Sequence, residues 1–247
     1  MSRFAGVRIM EVAQSIDGAP EFAAVERALS TDGGVPSVLC VENTCMLYSG
    51  NALAASTMGE LARLADGYGA HVHLDGARLA NASVALGVSV AELSTSANSV
   101  TFCLSKGLGA PAGALLGGTA EFIASARDVR QQLGGTMHQS GVLAAAGLEA
   151  LGRIPELAAD HELAGLLMSE LCELDGVDVI RPPNPTNIVI VRLPGLTAEE
   201  LRLRLSELGV FVLPIDDDYV RFVVHREHDV AGIYGVVQAL DAIRLRY

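Results

Sequence analysis

Between residues 35 and 118, short apolar runs alternate with longer segments of helical periodicity, and this alternation restricts the possible folds more than any other feature. Val35–Val41 is bounded by Gly33-Gly34 and by Glu42-Asn43. Ala70–Leu74 follows a stop at Gly67 and Gly69, and Ser99–Leu104 sets Val100, Phe102 and Leu104 in alternation. Such runs read as strands. The segments between them carry helix signals: Ser56 as N-cap with Leu61, Leu64 and Ala65 at helical spacing, then Ala77–Leu86 closed by Gly87. Parallel strands joined by crossover helices satisfy both patterns, so an α/β fold is expected.

The flanks extend the pattern. Val7–Val12 reads as a short strand, Glu21–Leu29 as a helix and Ala112–Leu116 as a further strand. Thr119 caps a helix whose apolar positions are Phe122, Ile123, Ala126, Val129 and Leu133. Helices over 141–151 and 155–174 follow. Beyond the prolines at 182, 183 and 185 the character changes. Val177–Ile180, Thr186–Leu193, Val210–Leu213 and Val220–Val224 read as strands, interleaved with a helix over Ala198–Leu208 and a terminal helix. The expected division is a large, mostly parallel unit over 1–154 and a small α+β unit over 155–247.

Within this frame Lys106 stands out. It is the one lysine among seventeen Lys and Arg residues. Arginine stays protonated, whereas lysine can lose its proton and act as a nucleophilic amine. Lys106 sits just past the strand ending at Leu104 and is followed by glycines that let backbone approach a ligand closely. A lone loop lysine is the bland reading; its uniqueness and setting favour chemistry.

His73-Leu-Asp75-Gly-Ala-Arg78 is the second informative stretch. Asp75 ends a strand just before a helix, at the carboxyl edge where open α/β sheets bind ligands. Taken alone, Asp75 could equally be a helix N-cap. A carboxylate, a guanidinium and a single amine at strand ends is the set a pyridoxal phosphate site requires: the amine carries the aldehyde and the carboxylate keeps the pyridine nitrogen protonated.

Other candidates are weaker. Gly107-Leu-Gly109 follows its lysine, whereas a Walker loop precedes one. Asp216–Asp218 reads as a solvated turn, and His225 with His228 lacks a third ligand, so no metal site is expected. The four cysteines show no CxxC spacing, and with Cys40 and Cys103 in apolar strand-like runs they read as buried, reduced thiols. A net charge of −12 disfavours nucleic acid and anionic membranes. With no apolar run of spanning length and no secretion-type start, a cytoplasmic protein is expected.

Four motifs, Glu42-Asn-Thr44, His73-Leu-Asp-Gly-Ala-Arg-Leu-Ala-Asn81, Leu104-Ser-Lys-Gly-Leu-Gly-Ala-Pro111 and Gly134-Gly-Thr-Met-His-Gln-Ser-Gly141, resemble in order those of the low-specificity threonine aldolases. These belong to the beta-eliminating lyase group of fold-type-I pyridoxal phosphate enzymes and split β-hydroxy-α-amino acids into glycine and an aldehyde. The resemblance implies a partial fold-type-I large domain, with Lys106 as the Schiff-base lysine and Asp75 on the pyridine nitrogen. Ser105 and His138 are implied as further cofactor contacts, and Arg78 with Arg221 as substrate-carboxylate ligands. Decarboxylation, transaldolation or Cα-proton exchange would use the same lysine and aspartate.

The departures are informative too. Relative to the family, the chain is expected to lack an N-terminal stretch that cradles the cofactor phosphate and stacks a histidine on the ring. Cys45 stands where members have His, His138 where they have Arg, and Thr136 replaces a glycine. The expectation is therefore a lysine-bearing subunit completed by a shorter partner chain, assembled as a dimer or tetramer of such units. The alternative is a non-catalytic scaffold or regulatory subunit.

Overall fold

The computed structural model describes residues 5–15, 17–31 and 38–245. Its first sheet has four strands, β1 (Val38–Glu42), β2 (His71–Gly76), β3 (Ser99–Cys103) and β4 (Ala114–Gly118), in that spatial order. β1, β2 and β3 run parallel, as the alternation predicts. Helix α1 (Phe22–Leu29) precedes them. The crossovers are α2 (Ala55–Asp66) and the pair α3 (Leu79–Leu86) and α4 (Val90–Ser94). Residues 35–37 of the first expected strand lie outside the described residues.

Several expectations need correction. β4 is antiparallel to β3. The link between them spans only residues 104–113 and holds no helix, too short for a crossover, so the chain turns back. The turn is closed by Ala110 N–H donating to Leu104 O (2.9 Å) and Leu104 N–H to Gly113 O (3.0 Å). Lys106 therefore lies in the loop joining two neighbouring strands. Val7–Val12 forms no strand: these residues pair with no described strand, and Val7 and Ile9 are exposed. Helix α2 starts at Ala55 with Ala54 as its N-cap, placing Ser56 inside the first turn. Asp75 belongs to β2, and Arg78 takes the N-cap position of α3. Helix α4 went unforeseen, although Ser89 and Glu92 carry a capping signature, with Glu92 N–H donating to Ser89 Oγ.

Alternation along the parallel strands divides the sheet into two unlike faces. Leu39, Val41, Val72 and Leu74 point into a core with Met58, Leu61, Ala65, Leu79 and Leu93, all buried. The opposite face carries Cys40, His73 and Ser99 in one register row and Glu42, Asp75 and Thr101 in the next. It is half-exposed or exposed over most of its area, so Cys40 is exposed and Cys103 half-exposed rather than buried, because alternation turns them away from the core. The neighbouring helices α5 (Ala120–Gln132) and α6 (Gly141–Leu151) also show apolar side chains to solvent, including Val129, Leu133, Val142 and Leu148. Leu116, Phe122, Ala126, Val129 and Leu133 line a groove of about 560 Å³.

The second sheet is antiparallel, with β5 (Asp178–Val179), β6 (Ile188–Arg192), β8 (Tyr219–Val223) and β7 (Leu213–Pro214) in that order. β7 starts at the last residue of the expected Val210–Leu213 strand. Val189, Val191, Val220 and Phe222 pack with α7 (Leu157–Cys172), α8 (Ala198–Glu207) and α9 (Val230–Arg244). At its other end α7 sends Leu157 into a cluster with Leu104 and Leu108, below the Lys106 loop.

A polar seam ties the two sheets together. Ala52 N–H donates to Asn184 O (3.0 Å), Asn184 N–H to Asn51 Oδ1 (2.8 Å) and Thr186 Oγ1 to Gly50 O (2.7 Å). Gly50 has φ +66°, and a Cβ there would sit 2.5 Å from Thr186 Oγ1, so glycine is required by both conformation and space. The seam sets the approach to β6 against the first sheet's carboxyl edge.

Candidate active site

The site grows from the carboxyl ends of β1, β2 and β3. Asp75 is exposed, and its Oδ1 accepts from Ala77 N–H (3.0 Å) and Thr101 Oγ1 (3.2 Å). Its backbone oxygen accepts from Asn43 N–H (3.0 Å). One strand over, Glu42 is half-buried and accepts from Met46 N–H at 3.2 Å. Burial raises its carboxyl above the usual range, and Asp75 adds to the rise against the opposing Met46 hydrogen bond and the Lys106 and Arg78 charges. Glu42, Asp75, Lys106 and Arg78 thus share one electrostatic neighbourhood.

Lys106 is exposed in a loop whose backbone is well held. Gly109 N–H donates to Lys106 O (2.9 Å), and Arg226 Nη2 reaches over from beyond β8 to donate to Gly107 O (3.1 Å). Arg226 also faces Glu156 at 3.7 Å. A Cβ on Gly107 would lie 2.9 Å from Leu157 Cδ2, so the loop rests directly on α7. Ser105 Oγ lies 3.4 Å from Cys103 Sγ. Burial pushes the Cys103 thiol up, but the Ser105 and Lys106 hydrogen bonds and the Lys106 charge bring it below the usual value.

Arg78 and Arg221 arrive from different sheets. Arg78 Nη1 donates to Asn187 Oδ1 (3.3 Å). Burial lowers its pKa, and the Arg221 charge lowers it further, so each guanidinium lies within the other's electrostatic reach. Arg221 Nε is buried without a described hydrogen-bond partner. Two adjacent cations, one with an orphaned donor, suit a carboxylate that both forks can grip.

The structure therefore brings Lys106, Ser105, Asp75, Arg78 and Arg221 to one region. It does not bring His138 there by any bond: His138 is exposed in the turn before α6 and has no hydrogen bond or ion pair to a described residue. Sequence reasoning missed four supporting residues: Arg226, Asn81, Asn187 and His161. Their residue types occur on any surface; only the burial of Asn81 and Asn187 marks them, and that needs coordinates. Among the described residues no cluster could hold a metal ion, and no helix is long and apolar enough to cross a membrane.

Comparison with solved structures fixes the class. A candidate L-allo-threonine aldolase of Listeria monocytogenes superposes with a TM-score of 0.78 at 21% identity, covering 98% of this chain and 69% of that one. Threonine aldolase of Leishmania major gives 0.71 at 20% identity, over 94% and 69%. This is the fold of the fold-type-I pyridoxal phosphate enzymes. Sequence gives the family: the beta-eliminating lyase model matches residues 1–194. Low-specificity L-threonine aldolase 1 of Arabidopsis thaliana is 37% identical over 243 residues, 95% of this chain and 68% of the relative. The Escherichia coli K12 low-specificity enzyme is 40% identical over 191 residues, 76% and 54% of the two chains. The chain belongs to the beta-eliminating lyase family, alongside the low-specificity threonine aldolases, and the cofactor of that family is pyridoxal phosphate.

Proposed function

We propose that this chain carries the lysine-bearing part of a threonine-aldolase-like site that cleaves or forms the Cα–Cβ bond of β-hydroxy-α-amino acids. The observation that carries this reading is the convergence of Lys106 and Asp75 on one sheet edge, beside two arginines that form no ion pair among the described residues. These residues fit the cofactor. Asp75 is an exposed carboxylate with lone pairs to spare for a protonated ring nitrogen, Lys106 is an amine without an ion pair among the described residues, and Ser105 offers an exposed hydroxyl beside it. When bound, pyridoxal phosphate supplies an electron sink for charge developing at Cα.

The chain's own groups do the rest. Asp75, oriented by Ala77 N–H and Thr101 Oγ1, keeps a proton on the ring nitrogen. Arg78 and Arg221 grip the substrate carboxylate, which fixes the rotation about Cα and so selects the bond that breaks. Because that grip retains the carboxylate, Cα–Cβ chemistry is favoured over decarboxylation. Glu42, with its raised carboxyl, is suited to take up and return a proton at the sheet edge. His138, exposed in the turn before α6, is proposed as a further cofactor contact.

We further propose that the polar face bearing Cys40, His73 and Ser99, together with the apolar groove beside α5, is covered in the working enzyme by a second, shorter polypeptide. Exposed apolar area of this kind marks an interface. The working unit is a dimer or tetramer of such pairs. The test is the visible spectrum of the purified protein, alone and co-expressed with neighbouring reading frames. The reading expects a cofactor band that vanishes in Lys106→Ala and strengthens with the partner. A protein that takes up no pyridoxal phosphate in either form supports the scaffold reading instead.

A further inference from the structure

A buried amide relay runs from Arg78 to the end of β8, the strand that carries Arg221. Asn187 is fully buried and Asn81 is 3% exposed. Asn187 Nδ2 donates to Val224 O (2.8 Å), and Val224 N–H donates to Asn187 O (2.9 Å), which bolts Asn187 to the end of β8, three residues from Arg221. With its NH₂ group committed there, its Oδ1 faces the other way. It accepts from Arg78 Nη1 and from Asn81 Nδ2, each at 3.3 Å. Asn81 Nδ2 also lies 3.1 Å from His161 Nε2, on α7. Burial pushes His161 down to about 4, so its imidazole is neutral and Nε2 can accept. Every hydrogen bond in the relay then has a donor facing an acceptor.

From this arrangement we infer that Asn187, oriented by Asn81 and His161, is the positioning residue that sets Arg78 against Arg221 and so fixes the span of the carboxylate grip. This rests on the function proposed above. Arg78 is desolvated and repelled by Arg221; without an acceptor at Asn187 Oδ1 its guanidinium has reason to swing toward solvent. A neutral amide is the right group for the task. It holds Arg78 without cancelling its charge, whereas a carboxylate at the same point would pair with Arg78 and compete with the substrate.

Two measurements test it on Asn187→Ala, Asn187→Asp and His161→Gln. In the first, cofactor-loaded protein is titrated with glycine and followed by its visible band, with pyridoxal phosphate affinity measured on the same samples. Glycine should bind about tenfold more weakly in Asn187→Ala, the size of one hydrogen bond to a charged group. Asn187→Asp should lose at least as much. His161→Gln, which keeps an acceptor, should stay within threefold of wild type, and cofactor affinity should stay within twofold throughout. In the second, cofactor-free protein is labelled with phenylglyoxal and mapped by mass spectrometry. Arg78 should label at least fivefold faster in Asn187→Ala, while exposed Arg27 and Arg63 keep their rates. Unchanged Arg78 labelling, or parallel loss of glycine and cofactor affinity, would overturn the inference. A wild-type protein that takes up no cofactor overturns the proposed function, and the labelling still decides the role of Asn187.

Discussion

Replacing Gly76 by alanine should damage fold and site together, by an amount the geometry supplies. Gly76 is the last residue of β2, in register with Phe102. An added Cβ would sit 2.4 Å from the Thr101 carbonyl oxygen and 3.1 Å from Leu79 Cβ and Cδ2. Carbon and carbonyl oxygen rest at about 3.3 Å or more, so β2 and β3 would have to part by close to an ångström. Overpacking costs roughly 1–3 kcal/mol. Here the obstacle is ladder backbone rather than a flexible side chain, which places the cost near the top, about 3 kcal/mol. For a chain of this size that lowers the midpoint of thermal unfolding by roughly 6–12 °C. The same movement stretches the Thr101–Asp75 hydrogen bond, so cofactor affinity should fall as well. Gly165→Ala is the matched control: Gly165 is an exposed residue inside α7, and a Cβ there meets nothing within 4 Å. It should gain about 0.5–1 kcal/mol, the usual helix preference of alanine over glycine. Calorimetry on the two variants decides. A Gly76→Ala midpoint within a degree or two of wild type, or equal shifts for both variants, would refute the close-approach argument.

Three further outcomes are expected. Folded His161 titrates at about 4 against 6.5 for the free group, so between those values the unfolded chain holds a proton the folded one excludes, and stability falls as pH drops through that window; urea unfolding at pH 7 and 4.5 should show a smaller loss in His161→Gln than in wild type. Burial, with help from Glu42 and Asp17, pushes the Cys45 thiol up to about 12, whereas Cys103 is lowered and half-exposed, so iodoacetamide at pH 7.5 should label Cys103 well before Cys45, read by peptide mapping. Arg226→Ala removes the hydrogen bond to Gly107 O and the contact with Glu156; stability should fall by no more than about 1 kcal/mol, while hydrogen exchange at the Gly109 amide speeds up as the Lys106 loop loosens.

Those residues also show which parts of this protein a sequence can disclose. The parallel strands were legible because burial on one face writes an alternation that few other structures produce, and β2 with its core residues Val72 and Leu74 follows it closely. The direction of β4 was not legible from its own residues, since apolar content says nothing of orientation; the shortness of the 104–113 link decided it. Val7–Val12 failed for a related reason: a strand exists only if another strand pairs with it. Helix α5 has a recognisable apolar face, yet periodicity marks a surface to be covered without naming the cover, and here Val129 and Leu133 remain exposed.

The site divides along a similar line. Lys106 and Asp75 were legible because the chemistry proposed for them tolerates few substitutes: a Schiff-base amine has to be a lysine, and a group that keeps a ring nitrogen protonated has to be an acid. The groups that aim them face no such restriction. A carbonyl can be held by any donor, and Gly107 O is held by Arg226 from the second sheet. A guanidinium can be aimed by any acceptor, and Arg78 is aimed by Asn187, 109 residues away. Interchangeability is what hides such residues in a single sequence. Geometry removes it, because once Asn187 Nδ2 is committed to Val224 O, only an acceptor can face Arg78. The span of the proposed carboxylate grip would then be a property of the packing between the two sheets, and small changes in the 49–53 and 184–190 seam should alter substrate binding before they alter the fold.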